Sequence, residues 1–342
     1  MSRATGRPDA RGAARAGRPE VSVIICAYTE RRWNDTLAAV ASVAAQSRPA
    51  METIVVVDYN PSLYERLKAE LPDVTVVRNN EAPGLSGGKN TGIAAAQGEI
   101  VAFLDDDAIA SPDWLKFLAD SYTGADVMGV GGQTLPLWET SRPSWFPGEF
   151  DWVVGCTYIG MSASPAPVRN LLGGNASFKR EAFAKAGGFR SGIGRSGRGL
   201  PAGGEETEFC IRLRQRSPSS TLLFDNRAVI WHRVPDVRST FSYFLTRCYA
   251  EGLSKALVTS NVGMAEGLSA ERAHALRALP SGVSRGLAEA VHGDESGLGR
   301  AAAIVAGLAA AVAGYGVGSV RSAVRRLPRA GTRRARGSRG DR

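Results

Sequence analysis

Short apolar runs recur along the first hundred residues and are separated by more polar stretches. Each run is rich in Val and Ile, has no charged residue in its centre and is about as long as a strand. Continuous apolar runs of this length are typical of strands that are buried on both faces of a sheet. The sequence therefore predicts four buried strands, at residues 21–27, 53–57, 74–78 and 100–104.

Apolar residues at helical spacing fill the gaps between these strands. One helix is expected to open at Asn34 or Asp35, and two more are expected over 62–71 and 93–97. Alternating strands and helices predict a parallel sheet with right-handed crossovers. We therefore expect an α/β fold with a mixed, mostly parallel central sheet that is flanked by helices.

Polar side chains follow the carboxyl ends of these strands. In a parallel sheet these ends share one edge, and open α/β sheets bind their ligands there. Carboxylates, a lysine and a glycine-rich turn at one edge favour a nucleotide whose diphosphate is held by metal and backbone N–H groups. The residues expected at that edge are Tyr28, Thr29, Glu30, Asp58, Asn60, Lys89 and Asp105–Asp107.

Three consecutive carboxylates end the fourth strand. Side chains alternate along a strand, so Asp105 and Asp107 should point the same way and Asp106 the other way. Two carboxylates this close repel each other unless a cation lies between them, and Mg²⁺ and Mn²⁺ prefer oxygen ligands. The triplet therefore predicts a divalent metal site. The alternative is an acidic loop before a helix that begins near Ser111-Pro112-Asp113.

A glycine-rich run, Gly84–Gly92, precedes the short third helix. It is not a P-loop, because that spacing would need Gly at Pro83 and Ser or Thr at Asn90. No G-x-G-x-x-G opens the first helix, which argues against a dinucleotide cofactor. The run is expected to lie near a nucleotide, and the alternative is a flexible turn between a strand and a helix.

The second half of the chain is less regular. Strands are expected at 127–132, 222–225 and 228–233, and helices from about 205, over 240–257 and within 270–296. Residues 136–167 are rich in Trp and Pro. Trp138 and Trp145 could stack on the flat apolar face of a ligand, which the family resemblance described below would make an acceptor sugar; the alternative is a loop layer packed over the sheet. Five side chains of the 240–257 helix are expected near the pocket rim or on its surface: Tyr243, Phe244, Arg247, Tyr249 and Lys255.

Acidic residues crowd the start of the helix near residue 205. Glu205, Glu206 and Glu208 follow two glycines, and Phe209 and Leu213 lie on one apolar face. A helix N-terminus favours negative charge, so a charged helix start explains the cluster without any chemistry. The functional alternative is a general base that takes a proton from an attacking hydroxyl group.

The net charge of +9 belongs to the ends of the chain. Residues 1–20 carry five Arg against two acidic residues, residues 321–342 carry nine Arg against one, and 21–320 are left at −2. A nearly neutral body argues against nucleic-acid binding. The four cysteines are widely spaced, which argues against a zinc site. Residues 1–20 have no apolar segment of the secretory type, so a cytoplasmic location is expected.

Residues 301–320 are uncharged and apolar, and Arg-rich sequence follows them. Their length suits a bilayer, but Ala and Gly outnumber Leu and Ile. Two interpretations stay open. One is a helix that spans or docks on a membrane, peripheral or anchored at its inner face, with the basic tail on anionic lipid. The other is a buried Ala-rich helix.

Four segments, Val21–Glu30, Val55–Asn60, Gly84–Gly92 and Phe103–Asp107, together resemble the donor-binding half of a family 2 glycosyltransferase. The resemblance implies the nucleotide-diphospho-sugar transferase (GT-A-like) fold with a D-x-D metal motif, and it extends over about residues 21–260. It divides that domain into a donor half, 21–132, and an acceptor half, 133–260. Outside it lie C-terminal helices at 261–320 and basic tails at 1–20 and 321–342.

The resemblance also implies roles for individual residues. Asp107 would hold Mg²⁺ or Mn²⁺ on the diphosphate, Asp105 would lie near the ribose, the sugar and the metal, and Asp106 is counted with the donor-binding residues. His232 would be a further metal ligand or would contact the diphosphate. Contacts to the base and ribose would come from Ala27, Tyr28, Glu30, Asp58 and Lys89.

Two later segments are similar to the family's acceptor half. Gly173–Glu181, which contains Asn175, would place a turn of small residues beneath the transferred sugar. Gly203–Arg214 matches the pattern Glu-Asp-x-Asp-Leu-x-x-Arg and puts Glu206 at the position of the base, with Glu205 as the second choice. The family commonly has Asp where this chain has Glu206, so the reach of this side chain differs.

The sequence thus predicts transfer of a sugar from a nucleoside diphosphate sugar to an acceptor hydroxyl, on a glycan, a lipid-linked molecule or a small molecule. Inversion is expected, because one base and no second nucleophile are visible. The Gln-x-x-Arg-Trp motif of processive synthases is absent from the sequence, which favours a single transfer. The two alternatives are a sugar nucleotidyltransferase of related fold and a non-catalytic protein of membrane surfaces.

Overall fold

The computed structural model describes residues 19–193 and 203–326, with only the backbone at 325 and 326. Of the basic tails that the sequence predicts, residues 1–18 and 327–342 lie outside these ranges, and residues 321–326 belong to the last helix. Within them, the chain forms one mixed sheet that is covered by helices, as expected for the α/β class.

Nine strands form the sheet, in the order β3-β2-β1-β4-β8-β6-β9-β5, with β7 also paired to β9. The first four in this order are parallel. Strand β8 runs antiparallel to both β4 and β6 and so joins the two halves of the sheet. The strands are β1 Val21–Ala27, β2 Glu52–Val57, β3 Thr75–Arg78, β4 Ile100–Asp105, β5 Ala108–Ala110, β6 Val127–Trp138, β7 Ala166–Pro167, β8 Asn175–Lys179 and β9 Thr221–Val234.

Helices cover both faces of the sheet and then form a C-terminal layer. The last of them, α11, is much the longest and packs along α7. The helices are α1 Trp33–Ala44, α2 Pro61–Glu70, α3 Leu85–Ala95, α4 Trp114–Asp120, α5 Arg180–Ala186, α6 Glu205–Arg216, α7 Phe241–Val262, α8 Met264–Gly267, α9 Ser269–Ala273, α10 Leu279–Val291 and α11 Ser296–Arg326. Short 3₁₀ segments cover Glu30–Arg32, Gly148–Val154 and Asp236–Ser239, and a π-helical turn covers His274–Ala278.

The glycine-rich run is not a loop, and this corrects the sequence prediction. Helix α3 begins at Leu85, eight residues before the expected start, so the glycines are helical. A Cβ atom at Gly92 would lie 2.6 Å from Cγ2 of Ile24, and one at Gly88 would lie 3.3 Å from Sγ of Cys26. The glycines therefore let α3 lie directly on β1, and their role is close packing.

Two predicted strand boundaries are also wrong. Strand β6 continues to Trp138, and the two short strands expected at 222–225 and 228–233 form the single strand β9. An irregularity in the β6–β9 register between Gly132 and Gln133 explains the apparent break, because it inserts polar residues into β9 without ending the strand.

Helix α11 is the one helix within the described ranges that is long and apolar enough to cross a membrane: within Ser296–Val324, an 18-residue window reaches a mean hydropathy of 1.8. It packs tightly along α7. A Cβ atom at Gly314 would lie 2.1 Å from the carbonyl oxygen of Tyr249, and one at Gly252 would lie 2.0 Å from that of Ala311. The opposite face of α11 is open, with Val305, Val312, Val320 and Val324 all exposed.

Candidate active site

A cavity of about 770 Å³ opens at the carboxyl edge of the parallel strands. Its floor comes from the ends of β1, β2 and β4, one wall from the start of α6, and the opposite wall from α7, α9 and α11. The predicted residues that line it are Ala27, Tyr28, Asp58, Asp105, Asp106, Asp107, Glu205 and Glu206. The fold therefore brings both the carboxylate triplet and the helix-start glutamates to one space.

Asp105, Asp107 and His232 converge beside this cavity. One ligand atom from each lies within 4.8 Å of the others, and Nε2 of His232 is 3.2 Å from Oδ1 of Asp107. Strand β5 pairs with β9 so that Ala108 lies opposite His232, which brings the imidazole to the triplet. The three residues form a donor set of two carboxylates and one imidazole.

The donor set fits a divalent cation. Carboxylate oxygens suit Mg²⁺ and Mn²⁺, and imidazole suits the transition metals. Burial opposes ionisation of Asp107, but the His232 imidazole and Arg32 outweigh burial and hold the pKa of Asp107 below its usual range. Nδ1 of His232 is buried and has no hydrogen-bond partner among the described residues, and Nε2 is the ring nitrogen that faces the two carboxylates.

Asp106 has a different partner from its two neighbours. Nη1 of Arg32 is 2.6 Å from Oδ1 of Asp106, while Nη2 of the same guanidinium is 2.9 Å from Oδ2 of Asp107. Burial raises the pKa of Asp106 to about 7 against the charge of Arg32. Asp106 therefore anchors the first helical segment to the triplet and is not one of the three converging residues.

The expected nucleotide edge is partly as predicted. Asp58 accepts hydrogen bonds from Asn79 Nδ2 at 2.6 Å and from the Gly84 backbone at 3.0 Å, so its carboxylate is fixed at the end of β2. Ala27 and Tyr28 line the cavity beside it. Glu30 is exposed in the 3₁₀ turn and does not line the cavity, so its expected base or ribose contact does not fit its position.

Lys89 pairs with the glutamates. It is buried in α3, its Nζ bonds to Oε1 of Glu206, and Oε1 of Glu205 is 4.0 Å away. The rings of Phe103 and Phe189 flank the ammonium group at 5.5 and 5.3 Å. Lys89 does not line the cavity and its ammonium group faces the glutamate pair, so the nucleotide contact expected of it stays a prediction.

The two glutamates differ in charge state. Burial, reinforced by the neighbouring Glu206, raises the pKa of Glu205 to about 8. Burial acts on Glu206 as well, but Lys89 outweighs it and holds the pKa of Glu206 below its usual value. The surroundings therefore favour the proton on Glu205 and the negative charge on Glu206, which lines the cavity.

Consecutive glycines separate the metal-type donors from the glutamate pair. A Cβ atom at Gly173 would lie 1.8 Å from Oε1 of Glu206, and one at Gly174 would lie 2.2 Å from Oδ2 of Asp105. A side chain at either position would displace the nearby carboxylate of Glu206 or Asp105. The bare backbone at Gly173-Gly174 thus lies between these two carboxylates.

Comparison with known proteins decides the family. The sequence profile of Glycosyl transferase family 2 matches residues 22–187. A glucosyl-dolichyl phosphate glucuronosyltransferase of Haloferax volcanii is 33% identical over 243 residues, which are 70% of this chain and 77% of that protein. The chain belongs to glycosyltransferase family 2. This membership favours glycosyl transfer over the two alternatives, a sugar nucleotidyltransferase and a non-catalytic protein.

Other relatives agree with this assignment. The succinoglycan biosynthesis protein ExoM of Rhizobium meliloti is 25% identical over 268 residues, 75% of this chain and 77% of that protein. The fold is similar to that of the mannosyltransferase PcManGT from Pyrobaculum calidifontis, solved in complex with GDP-Man and Mn²⁺, with a TM-score of 0.55 and 19% identity over 89% of this chain and 88% of that one. The GT-A-like fold that the sequence predicted is confirmed.

The predicted acceptor residues of this glycosyltransferase do not line its cavity. Trp138 and Trp145 pack with Phe146 at ring-centroid distances of 5.4 Å each, in an apolar cluster beneath α7 and α11. Asn175 is fully buried, and its side chain bonds to Trp114 and to the backbone of β6 and β9. All three positions are structural, so the acceptor role expected of these residues does not fit where they lie.

Other aromatic and charged side chains of the glycosyltransferase line the cavity instead. Phe150, Trp152 and Tyr158 line the cavity from the same Trp-rich segment. Of the five residues expected near the rim, Tyr243, Arg247 and Lys255 line the cavity, whereas Phe244 lies in the core and the half-buried Tyr249 does not line the cavity. Sequence reasoning missed Arg32, although an arginine directly after the first strand, at the carboxylate edge, was a usable signal. It also missed the lining residues Arg169, Arg238, Glu251 and Glu271.

Proposed function

We propose that this glycosyltransferase moves a sugar from a nucleoside diphosphate sugar to an acceptor hydroxyl, with a divalent metal, with inversion and once per encounter. The carrying observation is the shared cavity. Asp105, Asp107 and His232 converge at one side of it, and an ionised Glu206 faces it from the other, across Gly173-Gly174. Displacement at an anomeric carbon needs charge neutralisation at one end and proton removal at the other.

The metal site is proposed at Asp105, Asp107 and His232. Mg²⁺ or Mn²⁺ bound there would neutralise charge on the leaving diphosphate. An imidazole in the donor set favours Mn²⁺ over Mg²⁺. Arg32 and Arg238 approach Asp107, at 2.9 and 3.9 Å, and they offer further positive charge to the same diphosphate.

Glu206 is proposed as the general base. A carboxylate that is ionised at neutral pH and directed into the cavity can accept the proton of the acceptor hydroxyl. Lys89 keeps it ionised, and the second carboxyl group, Glu205, stays protonated. Because a single ionised base faces the acceptor side, direct displacement with inversion is the mechanism that this arrangement favours.

A lipid-linked acceptor and a location at the inner face of the cell membrane are also proposed. The name of the Haloferax relative gives glucosyl-dolichyl phosphate as the molecule that protein acts on. The exposed valines of α11 suit a lipid surface, and the opposite face of this helix packs on α7 through Gly314 and Gly252. Spanning a bilayer would carry the charged side chains of α7 with it, which is unfavourable, so peripheral contact is preferred.

Glu206→Gln tests the proposal. The amide cannot accept the proton, so turnover should fall by about 100-fold or more while donor binding stays within a few-fold. Donor binding is measured by thermal shift with UDP-, GDP- and dTDP-sugars, with Mn²⁺ and with chelator. Glu65→Gln is the matched control, because Glu65 is exposed and pairs only with Arg78 at the surface. Equal loss of donor binding and turnover would remove Glu206 from the role of base.

A further inference from the structure

We propose that the outer part of the cavity is a subsite for a phosphate group attached to a hydrocarbon chain, with Arg247 as the phosphate ligand and α11 as the wall for the chain. This inference rests on the proposed function, because it assigns the part of the acceptor next to the reacting sugar. It adds a specific site to the general proposal that the acceptor is lipid-linked.

A ladder of ionised side chains forms the cavity wall beyond the glutamate pair. Glu271 lies between Arg169 at 2.6 Å and Lys255 at 2.7 Å, and Glu251 lies between Lys255 at 3.3 Å and Arg247 at 2.8 Å. The ladder has three cations and two anions, so it carries an excess of positive charge. Burial opposes the charge of Lys255, but the two carboxylates outweigh burial and raise its pKa. The wall therefore stays positive through the neutral range.

Arg247, at one end of this ladder, is incompletely paired. Its side chain is 9% exposed, and only Nη1 bonds to Glu251. Nε is buried and has no hydrogen-bond partner among the described residues. The guanidinium also lies 5.9 Å from the Trp152 ring, which restrains its orientation. A buried N–H donor without a partner is costly, and the fork of a guanidinium matches the oxygens of a phosphate group.

Arg247 lies close to the proposed base. Its Nη2 would be 3.4 Å from a Cβ atom at Gly203, two residues before Glu205, and the Gly203 backbone donates to Ser254 of the same helix as Arg247. An anion held by this guanidinium would therefore lie beside the segment that carries the glutamates. This position suits a phosphate joined to the acceptor sugar.

Part of the cavity wall is apolar. It consists of Leu279 of α10 and of Leu308, Ala311 and Val312 of α11, and α11 packs directly on α7, the helix that carries Arg247. Val312 is 62% exposed, so this wall continues onto the open face of the helix. A fully hydrophilic acceptor gains nothing from an apolar exit, whereas a hydrocarbon chain can pass along α11 toward a membrane. A molecule that consists of a sugar, a phosphate group and a hydrocarbon chain would match three surfaces of this cavity. These are the glutamate pair for the sugar, Arg247 for the phosphate, and the apolar wall for the chain.

The test is isothermal titration calorimetry of the full chain with decyl phosphate below its micelle concentration. Inorganic phosphate and decanol are the reference ligands. Decyl phosphate should bind about tenfold or more tighter than either, because only it engages both the cation and the apolar wall. Similar affinity for inorganic phosphate would mean a free-phosphate site, and no binding of decyl phosphate would overturn the subsite.

Two variants locate the binding. Arg247→Gln should weaken decyl phosphate roughly 10- to 100-fold, since it removes a charge-assisted pair, whereas Arg78→Gln, at an exposed surface pair, should not. Val312→Ser should weaken decyl phosphate roughly three- to tenfold and leave inorganic phosphate unaffected. Val320→Ser is the matched control, because its exposure on the same helix is 64% against 62% for Val312, but it does not line the cavity.

Several outcomes would overturn the subsite without touching the proposed function. Equal losses from Val312→Ser and Val320→Ser would show adsorption to the outer face of α11. A loss of UDP binding in Arg247→Gln, with decyl phosphate unaffected, would assign Arg247 to the donor. Binding of sugar nucleotides to the wild-type protein with Mn²⁺ is measured separately, and its failure would contradict the proposed function and not the phosphate subsite.

Discussion

Replacement of Lys89 with Met should move the pH dependence of turnover and leave donor affinity nearly unchanged. Lys89 is buried between Phe103 and Phe189, and a Met side chain of similar length fits between the two rings. The substitution removes the cation that keeps Glu206 ionised next to Glu205. It therefore separates a role in charging the base from a role in holding the nucleotide.

The magnitude follows from the pKa of the proposed base. Glu205, buried and beside an ionised carboxylate, has a pKa of about 8. Without Lys89, burial acts on Glu206 unopposed, and we expect its pKa to rise above its usual value. On the acid side of the profile kcat should then fall about tenfold for each unit by which the assay pH lies below that raised pKa, and it should recover at alkaline pH. Breaking the buried pair should also cost on the order of 3 kcal/mol of stability.

The assay is the initial rate of nucleotide release between pH 5.5 and 9 at fixed free Mn²⁺, with kcat and donor KM fitted separately. Lys185→Met serves as the matched control, because Lys185 makes an exposed pair with Glu181 on α5 and should leave the profile unchanged. The reasoning would be refuted if Lys89→Met left the acid side of the kcat–pH profile as in the wild type and raised the donor KM. That result would instead support the nucleotide contact that the sequence predicted.

Three further substitutions test other parts of the site. Gly174→Ala should raise the Mn²⁺ concentration for half-maximal activity about tenfold, because its Cβ would lie 2.2 Å from Oδ2 of Asp105; Gly316→Ala, whose Cβ meets nothing within 4 Å, should not. His232→Gln should raise that concentration on the order of 100-fold, and an unchanged metal titration would exclude His232 as a ligand. Glu205 keeps its proton in the folded state between its ordinary pKa of 4.5 and about 8, so it lowers stability as pH rises through that window. Glu205→Gln should remove this slope, up to about 1.4 kcal/mol per pH unit, from urea-unfolding data; an unchanged slope would contradict the raised pKa.

Local pattern was sufficient to predict the parallel part of the sheet and the carboxylate triplet. A buried strand can be identified from its own residues, and Asp105–Asp107 can only emerge at its end. Asp105 and Asp107 do converge, together with His232, but Asp107 lies in a turn after β4, so the alternation along a strand that the prediction used is not the reason. The buried strand and the position of the triplet at its end need only short-range information about the backbone.

The pairing of Lys89 with Glu206 could not be predicted in the same way. The two residues are 117 positions apart, and their contact depends on how α3 and α6 pack beside each other on the same face of the sheet. The glycines of α3 misled for a related reason. Gly88 and Gly92 look like a flexible turn in the sequence, but they are required because the helix packs closely against β1 at these two positions. Such constraints become visible only when the packing partner is known.

The Trp-rich segment shows a third limit. Composition indicated that aromatic rings of this segment line an acceptor surface, and aromatic rings of the segment do line the cavity. Composition could not say which individual residues face the cavity and which lie in the core. Trp138 and Trp145 face Phe146 and the underside of α7, and Trp152 faces the cavity. The segment has little regular structure, so no periodicity distinguishes its two sides.

Asn175 explains how residues far apart in the chain share one site. Strand β8 pairs with β4 so that Asn175 lies opposite Leu104, which brings the preceding Gly174 next to Asp105. A shift of one residue would turn every side chain of β8 to the other face and separate these groups. The Asn175 amide prevents this, because it donates to β6 and β9 and accepts a bond from Trp114. An apolar residue would fill the space but could not hold three elements in register. Asn175 therefore has a structural role. It holds β8 in the register that places the Gly173-Gly174 backbone between the metal-type donors and Glu206, the proposed base.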